Sequence, residues 1–176
     1  DVMKAFEDEL NKKLKTKHLR VHVMFIPMSR DKELRFFHGK RKWRWGVDWY
    51  ASQFASGTRI RGESSPGYTA AAHYRGVPAR MHSIVPDARL IYMVRDPIER
   101  VISHWIHAVS EGWEKRAFES ANEDERYLDQ SRYWSQISAY LEHYPRDRIL
   151  VIEMHDLAED RAATLRRVYE FLDVDP

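Results

Sequence analysis

Cysteine is absent from this chain, which removes disulfides, thiolate nucleophiles, zinc ribbons and iron–sulfur clusters. Glycine is scarce, with 7 in 176 residues and none before Gly39. Long apolar runs are missing too: Val23-Met24-Phe25-Ile26 and Leu90 to Val94 fall far short of the ~20 residues that span a bilayer. Charge of one sign is lacking as well. The 29 Lys and Arg against 27 Asp and Glu leave +2, which excludes a histone-like polycation. No signal-peptide pattern is visible, so a soluble, cytoplasmic protein without a membrane partner is expected. The chain opens at Asp1 with no Met, inside a helical pattern, and so reads as a piece cut from something longer.

What is present suffices for a core. Apolar residues make up 43% and aromatics 12%, so global disorder is not expected. At this length one domain is the expectation, burying roughly 70% of the unfolded chain's surface.

Met3, Phe6, Leu10 and Leu14 recur at helical spacing and predict an amphipathic helix over about 3–15. Val21 to Ile26 reads as a short extended segment, Trp43 to Phe54 as a helix, Arg59 to Gly62 as a short strand and Val77 to Ile84 as a helix. Ala88 to Val94 is an apolar run bounded by charges, the pattern of a central strand buried on both faces. Asp96-Pro97-Ile98-Glu99 then places an N-cap Asp, a Pro at the first helical position and a Glu at the third. Ile98, Val101, Ile102, Trp105, Ile106 and Val109 follow at steps of three and four, predicting a helix over about 97–110. A helix over Tyr133 to Tyr144, a buried strand over Arg148 to Met154 and a last helix carrying Leu165 to Leu172 complete the pattern. Strand and helix alternate, so the fold class is α/β with a parallel sheet. Glu111 to Gln130 is charged and weakly periodic, and reads as a surface excursion over the sheet.

Chemistry in such sheets gathers at the carboxyl ends of the strands. Arg95 stands there, before a helix N-terminus whose amides and dipole favour an anion. Ser103 lies two turns along on the face of Asp96, so Arg95 and Ser103 could converge on one phosphate. The plainer alternative is an Arg95 paired with a nearby carboxylate and a Ser103 that merely packs. Lys32-Glu33-Leu34-Arg35-Phe36-Phe37 sets a carboxylate between cations, either a general base toward a hydroxyl or a solvated charge cluster. Gly62 to Tyr68 is a polar, turn-rich loop where functional loops belong. Lys40 to Trp45 interleaves cations with aromatics, which suits a sugar polyanion or single-stranded nucleic acid, or else a solvated loop anchored by two buried Trp. His18/His22 and His104/His107 have helical spacings, but no third ligand stands evidently beside either pair, so no metal is expected.

Five segments, taken in order, carry a family resemblance. KELRFF (32–37), WGVDWYASQF (45–54), RIRGESSPGY (59–68), VPARMHSIVPDARLIYMVRDPIERVISHW (77–105) and RILVIEMHDLAED (148–160) together resemble the sulfotransferase family. The likeness is to the branch of heparan sulfate and bacterial carbohydrate sulfotransferases, and R-D-P-x-E-R-x-x-S (95–103) is its most specific part. It implies a three-layer parallel sheet flanked by helices, related to the P-loop nucleotide kinases, with residues 1–176 forming one domain truncated at both ends. It also implies a donor, 3′-phosphoadenosine 5′-phosphosulfate (PAPS, leaving as PAP), and sulfuryl transfer to a hydroxyl of a carbohydrate or small-molecule acceptor. Glu33 falls on the family's catalytic base, and Arg95 and Ser103 fall on its 3′-phosphate contacts. Lys32, Arg35, Arg41, Trp43 and Tyr68 are the expected acceptor-side residues, and nucleic acid is not an expected partner.

Departures accompany the likeness. Arg35 stands where the family has His, Ser64 where it often has Lys, and no K-x-G-T-T-like phosphate loop is found. A non-catalytic remnant that binds a nucleotide or polyanion is therefore the alternative reading.

Overall fold

A computed structural model describes residues 28–58 and 60–174. The helix expected over about 3–15 and the extended segment from Val21 to Ile26 lie outside these residues. Two strands, β1 (Leu90–Val94) and β2 (Ile149–Glu153), pair in parallel, with Leu90 opposite Ile149 and Val94 opposite Glu153. In chain order the helices are α1 (Gly46–Ser52), α2 (Val77–Ile84), α3 (Pro97–Ser110) and α4 (Phe118–Ala121). They continue with α5 (Glu125–Leu128), α6 (Tyr133–Leu141), α7 (Met154–Glu159) and α8 (Arg161–Leu172). The crossover from β1 to β2 runs through α3 to α6, the helical connection that parallel strands require.

The local signals that hold are those satisfied within one turn. Asp96 Oδ1 accepts from the N–H groups of Ile98 and Glu99, each at 2.9 Å, and Pro97 occupies the first helical position. An N-cap of this kind contributes about 1 kcal/mol, and it fixes where α3 begins.

Other elements differ from their sequence patterns. The Trp43 to Phe54 helix is split: a 3₁₀ turn covers Arg41–Trp45, and α1 begins only at Gly46, whose φ is 82°. Of the short strand expected at Arg59 to Gly62, the described residues form one parallel bridge between Met28 and Gly62, with Ser29 N–H donating to the Gly62 carbonyl at 3.0 Å, while Arg59 lies outside them. The final helix starts earlier than the apolar pattern, at Arg161, because the Asp160 carboxylate caps the N–H of Ala163. β1 is not buried on both faces. Its residues alternate, and Ile91 and Met93 are 42% and 49% exposed.

Two cores result. The first joins Leu34, Phe36, Phe37 and Tyr50 to Val77, Tyr140, Tyr144 and Ile149. Phe36 stacks on Tyr50 at 4.7 Å and meets Phe37 edge-on at 5.1 Å, contacts each worth about 0.5–1.5 kcal/mol beyond the area they bury. Arg80 closes this core from the side: its Nε donates to the Phe37 carbonyl at 2.8 Å, and its guanidinium lies over Trp43. Gly39 is required beneath it. Its φ is +74°, and a Cβ there would lie 2.7 Å from Arg80 Cζ.

The second core corrects the reading of Glu111 to Gln130 as a surface excursion. Ala121 and Tyr127 are fully buried against Val101 and Ala108 of α3. Glu114 is buried with them and accepts from Arg116, Arg126 and the Tyr127 hydroxyl, the last at 2.9 Å. These bonds hold the Glu114 carboxyl far below the usual carboxylate range. Buried polar groups had replaced apolar periodicity in this segment.

Candidate active site

A cleft of about 580 Å³ runs beside β1 to the carboxyl ends of both strands, reaching Arg95 and Met154. One wall is the loop from Glu63 to Thr69, and the other includes Arg100, Gln130 and Tyr133. Arg95 stands at its edge, directly before the capped start of α3. The Tyr133 hydroxyl donates to the Arg95 carbonyl at 2.9 Å and accepts from its N–H at 3.5 Å, which pins the strand end to α6. The Arg95 guanidinium has no hydrogen bond or ion pair among the described residues, so the carboxylate-paired alternative does not hold among them. With the helix N-terminus already capped by Asp96, a half-buried guanidinium that has no partner among the described residues is itself a place for an anion.

Arg100, on the first turn of α3, does different work. Its guanidinium donates to Ser131 Oγ at 2.6 Å, to Gln130 Oε1 at 3.2 Å and to the Tyr127 carbonyl. It therefore fastens the far wall of the cleft to α3. Ser103 is half-buried one turn further along and does not line the cleft.

Glu33 sits on the loop before a 3₁₀ turn, Phe36–His38. Its Oε2 accepts from Arg35 at 2.6 and 3.1 Å, and its Oε1 has no partner among the described residues. The flanking side chains fix this loop: Leu34, Phe36 and Phe37 are buried while Lys32 and Arg35 are exposed. Arg35 takes a left-handed conformation, φ 54° and ψ 25°, unusual for a residue with a Cβ. Of the remaining acceptor-side residues, Tyr68 lines the cleft and Arg41 is exposed over Trp45. Trp43 is turned inward against Phe36, and the exposed indole of that segment is Trp45.

Sequence reasoning passed over Glu63, Arg100 and Tyr133. Glu63 accepts from the hydroxyls of Tyr50 at 2.8 Å, Ser65 at 3.2 Å and Tyr68. Burial, and then the Glu63 charge, push the phenol pKa values of Tyr50 and Tyr68 far up, so both remain donors. The signal for Arg100 was its place in the R-D-P-x-E-R segment. Glu63 lay in the loop from Gly62 to Tyr68 that the sequence marks out, but its role depends on Tyr50, 13 residues away.

Two histidines near these walls are kept neutral. Burial, then the charges of Arg35, Lys40 and Arg80, pull the His38 pKa down to about 4; burial and Arg100 do the same to His104. In the unfolded chain both rings titrate near the ordinary value of about 6.5. The folded state thus binds fewer protons than the unfolded state between these values. Stability is fully present above pH ~6.5 and is lost as pH falls toward 4. After discounting for solvent that reaches both rings, the loss is about 1 kcal/mol per histidine. Thermal unfolding across this window should show it, and His38→Gln/His104→Gln should flatten the slope. Among the described residues no cluster of metal-ligating side chains is present.

The profile of the sulfotransferase family matches residues 10–175. The chain belongs to the sulfotransferase family. It is 31% identical over 144 residues to heparan sulfate glucosamine 3-O-sulfotransferase 3B1 of Mus musculus, covering 75% of this chain and 36% of that protein. It is 23% identical over 155 residues to the bifunctional heparan sulfate N-deacetylase/N-sulfotransferase 1 of Caenorhabditis elegans, covering 81% and 18%. The chain thus spans about a third or less of the length of these relatives. Among solved structures it is similar to a sulfotransferase from Alicyclobacillus acidocaldarius, with a TM-score of 0.71 and 27% identity over 84% of this chain and 70% of that one. The fold is that of sulfotransferases, α/β with a parallel sheet flanked by helices.

Proposed function

We propose that this domain transfers the sulfuryl group of PAPS to a hydroxyl of an acidic carbohydrate. The observation that carries the reading is the Arg95 guanidinium, without a partner among the described residues, lining a nucleotide-sized cleft directly before the capped start of α3. Arg95 would hold the donor's 3′-phosphate by its side chain, since the Ile98 and Glu99 amides are already taken by the Asp96 cap; Ser103, two turns along the helix, lies outside the cleft. The donor supplies an activated sulfur whose bond to the 5′-phosphate oxygen breaks as the acceptor oxygen bonds to it. Glu33 takes the acceptor's hydroxyl proton on Oε1, while Arg35 holds Oε2 and keeps the carboxylate aimed. Lys32, Arg41 and the exposed Trp45 form a cationic, aromatic approach on the acceptor side.

Support for a carbohydrate acceptor comes from the names of the similar proteins, which act on heparan sulfate. The test is incubation of the chain with labelled PAPS and heparan sulfate oligosaccharides, followed by mass spectrometry. Sulfated product that depends on both substrates supports the reading. PAP binding without transfer overturns it in favour of the non-catalytic alternative.

A further inference from the structure

We propose that Glu63 is a positioning residue that sets the loop carrying Glu33, through the hydroxyls of Ser65 and Tyr68. The inference rests on the reading of Glu33 as the base. A hydroxyl has one hydrogen to donate, and both of these hydroxyls donate it to Glu63 Oε1. Their oxygens are thereby left to accept. Ser65 Oγ accepts from the Arg35 N–H at 3.0 Å, and the Tyr68 hydroxyl accepts from the Phe37 N–H at 3.4 Å. Tyr50 bonds to the other carboxylate oxygen at 2.8 Å and is itself stacked on Phe36, so the carboxylate is gripped from the core side.

The consequence falls on Arg35. A left-handed conformation at a non-glycine residue is sparsely populated and persists only where its surroundings over-determine it. Ser65, buried at 7% exposure, supplies that constraint through the Arg35 N–H, and the Arg35 side chain in turn fixes Glu33 Oε2. Glu63 therefore acts on the base at two removes. Two acceptor duties fall on Oε1 alone, so an amide oxygen in the same place can meet them.

The test compares Glu63→Ala, Glu63→Gln and Ser65→Ala in the transfer assay with PAPS and heparan sulfate oligosaccharides, and in amide hydrogen exchange. Glu63→Ala should lower kcat on the order of 10- to 100-fold with little change in KM for PAPS, the effect of a misplaced reacting group. Glu63→Gln should recover most of that loss. Ser65→Ala, which leaves both tyrosine bonds intact, should lower kcat about 10-fold and speed exchange at the Arg35 amide by a similar factor. Unchanged kcat and exchange in Ser65→Ala, or a Glu63→Gln as poor as Glu63→Ala, would overturn the proposal. If Glu63→Ala does not fold, Ser65→Ala and Glu63→Gln decide. If Glu33→Gln keeps full activity, the base assignment fails instead, and the exchange readout still reports whether Glu63 holds the loop.

Discussion

Glu33→Gln is expected to slow sulfuryl transfer by about 10²–10⁴-fold while leaving PAP binding unchanged. The substitution keeps the side chain's shape and removes only its capacity to take a proton. Arg35 loses its ionic partner, but Leu34, Phe36 and Phe37 are buried and continue to hold the loop in place. The predicted signature is a fall in kcat with KM for PAPS within a factor of about two, as for an interaction made chiefly in the transition state. Steady-state kinetics with saturating heparan sulfate oligosaccharides measures it. A Glu33→Gln variant that transfers at the wild-type rate would remove Glu33 from the mechanism and leave deprotonation to another group.

The departures from the family pattern bear on this prediction. With Arg35 in place of His, the base is flanked by a permanent cation that cannot itself shuttle a proton. On the proposed reading, the whole proton transfer then falls to Glu33. Ser64, exposed at the cleft wall where the family often carries Lys, offers no charge to the transferring group. Positive charge at the described part of the cleft comes instead from Arg89, Arg95 and Arg100, and Arg100 is committed to holding the wall.

How far the fold was legible depended on the range of the interaction. The Asp96 cap and Pro97 are satisfied within four residues, so α3 stands where the pattern put it, from Pro97 to Ser110. The apolar runs gave both strands to within two residues at either end, because a pleated ladder needs little but a continuous apolar face. The failures share a cause. Trp43 to Phe54 carried helical periodicity, but Gly46, at φ 82°, interrupts the helix at a point periodicity does not see. Glu111 to Gln130 looked like a surface because its burial rests on Glu114 and its arginine partners rather than on an apolar stripe.

The site divided in the same way. Arg95 and Glu33 stood in short motifs next to elements that could be predicted, and among the described residues the Arg95 guanidinium and Glu33 Oε1 have no partner. Ser103 was placed by helical geometry, and the cleft stops one turn short of it. Trp43 was chosen for its neighbours in sequence, yet residues 36, 37 and 80 claim its ring for the core. The role of Glu63 could not be read from its loop because it lies in three hydroxyls gathered from two segments.

Arg95 carries the second large effect. A guanidinium held between a strand end and a helix N-terminus forms charge-assisted hydrogen bonds to a phosphate, each worth roughly 1.5–3 kcal/mol. Because its backbone is pinned by Tyr133 and its side chain has no competing partner among the described residues, little is gained by releasing it. Arg95→Ala removes the cation without disturbing the Asp96 cap. The measurement that tests the account most directly is calorimetric titration of 3′,5′-adenosine bisphosphate into the 176-residue chain and into Arg95→Ala. The account predicts saturable binding that weakens by about 10- to 100-fold in the variant. No binding to the wild type, or equal affinity in the two proteins, would contradict it.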